Sequence, residues 1–313
     1  MRPAMFLLIL IVAFFLVVEI FSRQGFDRLS DLQRQTIQEY RLALAMGRNP
    51  TNSKRQVLVV GNSLLKEGLR FNDLERALSP DWEARRFVVV QTTYFDWYYG
   101  LRRLLQDGAR PDSIVLVLSA NQLMASTVLG DYFGHYLMTI RDLPSVVRDL
   151  RLDLTTAASL LFANVSGFYG VRSEIRKRLL VRLMPDLPQL TTLLTRGKTP
   201  QYSDEKVYTR ATERLQACKS LAAEYNCRFI LVVPPVLRAQ DHYAALQDAG
   251  TQVGVPVIVA AGSGTLGPGD FSDGSHLNQQ GAVKYTRSLV PLLCAEIFQS
   301  PQQSAQTSVH LDH

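Results

Sequence analysis

Cysteine is scarce in this chain: Cys218, Cys227 and Cys294 are the only three in 313 residues, with no Cys-x-x-Cys pair and no metal-ligand spacing. A small disulfide-framed scaffold and a cysteine-based zinc site are therefore excluded. Cys218 and Cys227 are placed to pair across a helix-to-strand turn in an oxidising compartment, or else Cys218 is a buried helical residue. Histidine is thin as well, with five scattered residues of which His310 and His313 fall in a polar tail expected to be disordered. No metal cluster and no cofactor is expected. Internal repeats and long low-complexity tracts are missing, and basic and aromatic residues are not interleaved as a nucleic-acid surface requires. The glycine-rich stretch 262–269, GSGTLGPG, lacks the Lys-Ser/Thr ending of a phosphate loop, and its glycines do not open a helix. It reads as a flexible loop.

What the chain does have begins at its amino terminus. Ala4 to Phe21 is an apolar run broken only by Glu19, long enough as a helix to cross a hydrocarbon core of about 30 Å. The competing reading, a cleaved signal peptide, lacks a small-x-small site, and Phe21-Ser22-Arg23-Gln24 suits a signal peptidase poorly. Residues 1–23 are therefore expected to be an uncleaved anchor. Arg23, Arg28 and Arg34 after the run oppose an outward-facing domain under the positive-inside rule. A short tail before a signal-like helix nevertheless usually stays inside, which places the main domain outside the cytoplasm. The net charge of +6 suits an anionic lipid or polymer nearby, or is merely a solvated basic surface. Residues 24–50 read as a helical stalk ended by Gly47-Arg48-Asn49-Pro50.

The soluble part, 51–300, alternates in period. Gln56–Val60, Arg86–Gln91, Ile114–Ser119, Arg228–Val233 and Val255–Val259 are short runs rich in Val and Ile, as expected of parallel strands buried on both faces. Helical stretches at Phe71–Leu78, Trp97–Gln106, Asp204–Tyr225, Ala239–Ala249 and Asn278–Phe298 separate them. Such βαβ units with right-handed crossovers predict an α/β fold, a three-layer sandwich around a parallel, flavodoxin-like sheet. Leu123 to Thr199 breaks the rhythm with helix and no clear strand, including Arg172-Ser173-Glu174-Ile175-Arg176-Lys177-Arg178 before an apolar stretch. This insertion borders the end of the third strand. It is a lid or acceptor-binding cap, a membrane-surface element, or extra helices covering an apolar edge. Asn164-Val165-Ser166 matches a glycosylation triplet that chance also supplies.

Two short motifs lie near opposite ends of the domain. Gly61-Asn62-Ser63 follows the Val57–Val60 strand, placing the serine where open α/β sheets carry their chemistry. Asp273-Gly274-Ser275-His276 sits in a loop just before the last helix. Together they supply a nucleophile (Ser63), a base (His276) and a carboxylate to orient it (Asp273). Alone, Ser63 is a turn serine capping a helix, and Asp273 and His276 an Asx-turn and an exposed loop histidine. Their order and separation, and the continuation His276-Leu277-Asn278 with Gly281, resemble the SGNH (GDSL-like) esterases and acyltransferases, from about Val57 to Phe298.

That resemblance implies an acyl-serine intermediate stabilised by oxyanion donors. The first is the Ser63 backbone N–H. The asparagine of the family's third block matches Asn121 within Ser119-Ala120-Asn121-Gln122, although the flanking glycine and aspartate are missing, and Asn121 is otherwise an N-cap. The second block, Gln91-Thr92-Thr93-Tyr94-Phe95-Asp96, has no glycine, so a backbone donor there falls to Thr93 or Thr92. Asn62 is expected to shape its turn rather than touch substrate. The resemblance implies an anchored enzyme acting on O-acyl, above all acetyl, esters of an extracytoplasmic polysaccharide, with polysaccharide machinery as partner. A non-catalytic envelope scaffold and a lipid esterase at the bilayer surface are the rival readings.

Overall fold

The computed structural model describes residues 3–29, 31–47, 54–184, 201–237, 242–260 and 266–299. Five strands, β1 (Arg55–Gly61), β2 (Trp82–Val88), β3 (Ser113–Val117), β4 (Arg228–Val232) and β5 (Val257–Ile258), form one sheet in the order β2-β1-β3-β4-β5. Every pairing is parallel. This is the doubly wound, flavodoxin-like order, whose winding reverses between β1 and β3 and opens a crevice at their C-terminal ends. The expected α/β sandwich is the observed one.

Strand periodicity sorts the apolar residues into two cores. Leu58, Val60, Ile114, Leu116, Phe229 and Leu231 point to one face, under the helices Tyr94–Gln106, Asp204–Ala223 and Tyr243–Val253. Val57, Val59, Val115, Val117, Ile230 and Val232 point to the other, under Phe71–Leu78 and Gln279–Phe298. Val57 to Val60 are all 0% exposed, each side chain contributing roughly 1.5–3 kcal/mol on burial. Cys218, Cys227 and Cys294 are free and buried, so the pair suggested by spacing does not form. Burial pushes the thiols of Cys218 and Cys227 up to about 12, and they behave as small apolar residues.

β2 begins and ends earlier than the apolar run Arg86–Gln91 suggested, because it is an edge strand carrying Glu83, Arg85 and Arg86. Arg85 pairs with Glu83 within the strand, and the segment expected to be a stalk explains how Arg86 is tolerated. After the helix Pro3–Leu29, a second helix, Asp31–Leu44, lies against β2 and adds Ala43 to the core, followed by Met46. Its Glu39, 8% exposed, accepts the Val88 N–H at 2.8 Å and Arg86 Nε and Nη2 at 3.0 and 2.9 Å. A carboxylate thus closes the open edge of the sheet, and part of the 24–50 segment belongs to the domain's core. We expect Glu39→Ala to lower unfolding stability by roughly 2–3 kcal/mol, since a charge-assisted pair and a buried backbone donor lose their acceptor; a denaturant midpoint equal to that of the native protein would contradict this.

The apolar part of the first helix, Pro3–Arg23, contains an 18-residue window with a mean hydropathy of 3.0, none of which is buried. It is long and apolar enough to cross a membrane. From Leu123 to Met184 the described residues hold helices and turns and no strand, the longest helices there being Leu154–Val165 and Gly167–Leu183. The Asn164 amide donates to Gly134 O at 2.8 Å and Met138 O at 3.0 Å, so the glycosylation triplet is used as a structural tie. Part of the glycine-rich loop (262–265), the stalk's expected end at 48–50, residues 185–199 of the insertion and the 301–313 tail lie outside the described residues.

Candidate active site

Ser63 owes its place to a tight strand-to-helix turn at the C-terminal end of β1. A Cβ on Gly61 would meet Val117 O at 2.8 Å, so glycine lets β1 and β3 stay close as the chain turns. Asn62, 0% exposed, caps the helix Ser63–Gly68: its Oδ1 accepts the Leu64 N–H at 3.0 Å, and its Nδ2 donates to Thr92 O at 2.9 Å. Asn62 therefore shapes the turn, as expected, and fastens it to the second block. As the first helical residue, Ser63 has an N–H without a partner inside its helix.

Asp273 and His276 come from a loop pinned at both ends. Phe271 and Leu277 form an antiparallel bridge, and the Ser272 N–H donates to His276 O at 2.9 Å. Asn278 caps the last helix through the Gly281 N–H at 2.9 Å and donates to Gly269 O at 2.7 Å. A Cβ on Gly281 would fall 2.1 Å from Asp270 O, so the loop reaches this position against a glycine. The run His276-Leu277-Asn278 and Gly281 is thus the hinge that aims the histidine.

The three side chains meet. His276 Nε2 lies 2.8 Å from Ser63 Oγ, and His276 Nδ1 lies 2.8 Å from Asp273 Oδ2. An ionised carboxylate only accepts, so Nδ1 carries the proton, leaving Nε2 to accept the serine hydroxyl. Asp273 Oδ1 also accepts the N–H groups of Ser275 and His276, at 2.6 and 2.7 Å. Partial burial raises the Asp273 pKa, but the hydrogen bonds from His276 and Ser275 outweigh it and hold the carboxyl below its ordinary range. It stays ionised near neutrality.

The second block corrects one expectation. The Thr93 N–H donates to Asp96 Oδ2 at 2.8 Å, and the Thr93 hydroxyl reaches Thr127 O at 2.7 Å, so Thr93 is engaged in capping its helix rather than free as an oxyanion donor. Within this block Gln91 adopts φ of +63°, a left-handed geometry that is unusual for a side chain with a Cβ. In the third block, Ser119 rather than Asn121 is the N-cap of the helix Ala120–Met124. The Asn121 carboxamide makes no hydrogen bond to a described residue, and its helix starts beyond β3, the neighbour of β1.

Sequence reasoning missed the residues that hold these blocks together. Asp96, 0% exposed, joins Thr93 to the Leu129 N–H at 2.8 Å, tying the second block to the chain that follows the third. Arg214 donates to Leu123 O, to Ala125 O at 2.8 Å and to Ser126 Oγ at 3.3 Å, with its guanidinium 4.4 Å from the Tyr94 ring centre. The available signal was an arginine on the apolar face set by Val207, Ala211, Cys218 and Leu221.

Burial pushes the Asp96 carboxyl up to about 6, against the hydrogen bonds from Leu129 and Thr93. The folded state then holds this proton more tightly than the unfolded chain, so the group costs stability as pH rises from about 4 to 6, on the order of 3 kcal/mol. Unfolding curves across this interval should fall with pH more steeply for the native protein than for Asp96→Asn. Parallel curves would contradict the assignment.

No protein-family model matches the chain, and no curated protein does. Among solved structures, a catalytic mutant of an acetylxylan esterase from Geobacillus stearothermophilus is similar at 11% identity, covering 78% of this chain and 95% of that one, with a TM-score of 0.41. A GDSL-like lipase from Bacteroides thetaiotaomicron is similar at 12% identity over 85% of this chain and 98% of that one, with a TM-score of 0.39. An alpha/beta hydrolase enzyme from the metagenome of Lake Arreo, Spain, gives 11%, 77%, 95% and 0.40 in the same order. What the chain's own geometry shows is a parallel α/β sheet at one end of which Ser63, His276 and Asp273 meet in one hydrogen-bonded chain.

Proposed function

We propose that the protein is a membrane-anchored serine esterase or O-acyltransferase, its domain outside the cytoplasm, working through an acyl-serine intermediate. The observation that carries this reading is the continuous Ser63–His276–Asp273 hydrogen-bonded chain. His276 Nε2 takes the proton as Ser63 Oγ attacks the ester carbonyl. It returns that proton to the leaving alkoxide as the C–O bond breaks. Water or a sugar hydroxyl then gives its proton to His276 and attacks the acyl-serine; as the acyl C–Oγ bond breaks, His276 passes that proton to Ser63 Oγ and the free serine is regenerated. Asp273 keeps the imidazole in the required tautomer and stabilises its charged form.

The Ser63 N–H and the Asn121 amide are the donors assigned to the oxyanion. Asn121→Ala should reduce kcat about 10²- to 10³-fold with little change in KM, as loss of one such donor does. An unchanged kcat would remove Asn121 from the site. The acetyl group and the polysaccharide acceptor rest on the sequence resemblance. The test is to supply acetylated oligosaccharides: free acetate marks a hydrolase, an ester on an added acceptor sugar marks a transferase, and neither product contradicts this substrate class.

The meeting of the three side chains weighs against a non-catalytic scaffold. A lipid ester taken from the bilayer surface is the second reading, favoured by exposed apolar residues of the insertion beside the anchor.

A further inference from the structure

The insertion leaves apolar surface uncovered next to the first helix. Leu154–Val165 and Gly167–Leu183 meet at an angle of 108° around Ser166. Leu154 is 89% exposed, Phe162 52%, Leu179 56% and Leu183 68%. Taken together the two helices are apolar enough to pass for a membrane span, and apolar surface on that scale calls for something to cover it.

The bend is fastened to the anchor near the end of its apolar run. Glu19 accepts from Ser166 Oγ at 2.7 Å and from the N–H groups of Gly167 and Phe168 at 2.7 and 3.2 Å, while Arg23 Nε approaches it at 2.6 Å. Arg23 Nη2 donates to Val165 O at 2.8 Å. The Glu19 carboxylate thus satisfies the free N–H groups opening a 17-residue helix, and an acidic residue inside an apolar span has its partners named. A Cβ on Gly167 would lie 2.7 Å from Arg23 Cγ, so the approach depends on glycine. One turn further into the span, Phe168 shares a cleft with Val12, Phe15, Leu16 and Val18. Residues at that level of a spanning helix face hydrocarbon.

We propose that Leu154–Leu183 is a second membrane attachment, a bent helical pair lying in the outer face of the bilayer with lipid acyl chains covering its apolar residues. Exposed Arg176 and Arg182 share the helix Gly167–Leu183 with the leucines and reach the headgroups by extending their long side chains out of the apolar layer. The inference rests on the first helix spanning a bilayer. Its consequence is mechanical: one helix leaves a domain free to tilt, whereas two attachments set the orientation of the sheet, and of Ser63, relative to the membrane.

The test uses the full chain in phosphatidylcholine/phosphatidylglycerol vesicles containing a phospholipid with a diazirine in its acyl chain, with adducts located by peptide mass spectrometry after irradiation. Adducts are expected on residues 154–184 as well as on 4–21. Gly167→Val should reduce those on 154–184 several-fold while those on 4–21 persist, in a protein whose thermal unfolding stays cooperative. Adducts confined to 4–21 would overturn the proposal and leave the anchor standing, with a protein partner the remaining cover for this face. Adducts in neither region would overturn both.

Discussion

Replacing Ser63 by alanine is expected to lower ester turnover roughly 10⁴- to 10⁶-fold, the loss seen when a hydrogen-bonded catalytic triad is deprived of its nucleophile. Folding should be nearly untouched. Ser63 Oγ is bonded to His276, whereas the turn itself is held by Asn62 through Leu64 and Thr92 and by the close packing at Gly61. Turnover on a soluble ester, measured alongside the denaturant midpoint, separates the two effects. Near-native turnover in a folded variant would mean that the serine is not the nucleophile.

His276→Ala should cost nearly as much, because attacking hydroxyl and leaving alkoxide both depend on its Nε2. The loop that carries it survives the change. Its closure uses main-chain groups, the Phe271–Leu277 bridge and the Ser272 N–H to His276 O, and Asp273 Oδ1 keeps its bonds to the N–H groups of Ser275 and residue 276. Residual turnover of roughly 10³- to 10⁴-fold over water is expected from the oxyanion donors and substrate binding. Losses in Ser63→Ala and His276→Ala should not multiply in the double variant, since the two act as one unit. Multiplying losses would show that they work separately.

The parts of this site legible in the sequence were those whose chemistry is written in side-chain type at a fixed place. Ser63, His276 and Asp273 combine the required groups with an apolar strand before and a capped helix after, and Asn62 could be read as a turn former. The parts that were not legible depend on backbone conformation or on distant partners. Thr93 was assigned a free N–H, but the neighbouring Asp96 completes a capping box that consumes it. Gln91 takes a left-handed geometry without being glycine, which no residue-type rule reveals. β2 was hidden because an edge strand alternates charged and apolar residues; its Arg85 pairs with Glu83 in the strand, and its Arg86 pairs with Glu39 from a segment that read as a polar stalk. Glu19 was visible as an interruption in an apolar run; its partners at Ser166, Gly167 and Phe168 lie too far along the chain for any local pattern to connect them.

The central claim is that Ser63 is an activated nucleophile, and the most direct measurement is covalent labelling of the full chain with a fluorophosphonate probe, locating the adduct by peptide mass spectrometry. The account predicts one adduct, on Ser63, that is lost in His276→Ala and formed more slowly in Asp273→Asn. A folded protein that takes no label at Ser63, or takes it equally well without His276, would contradict it.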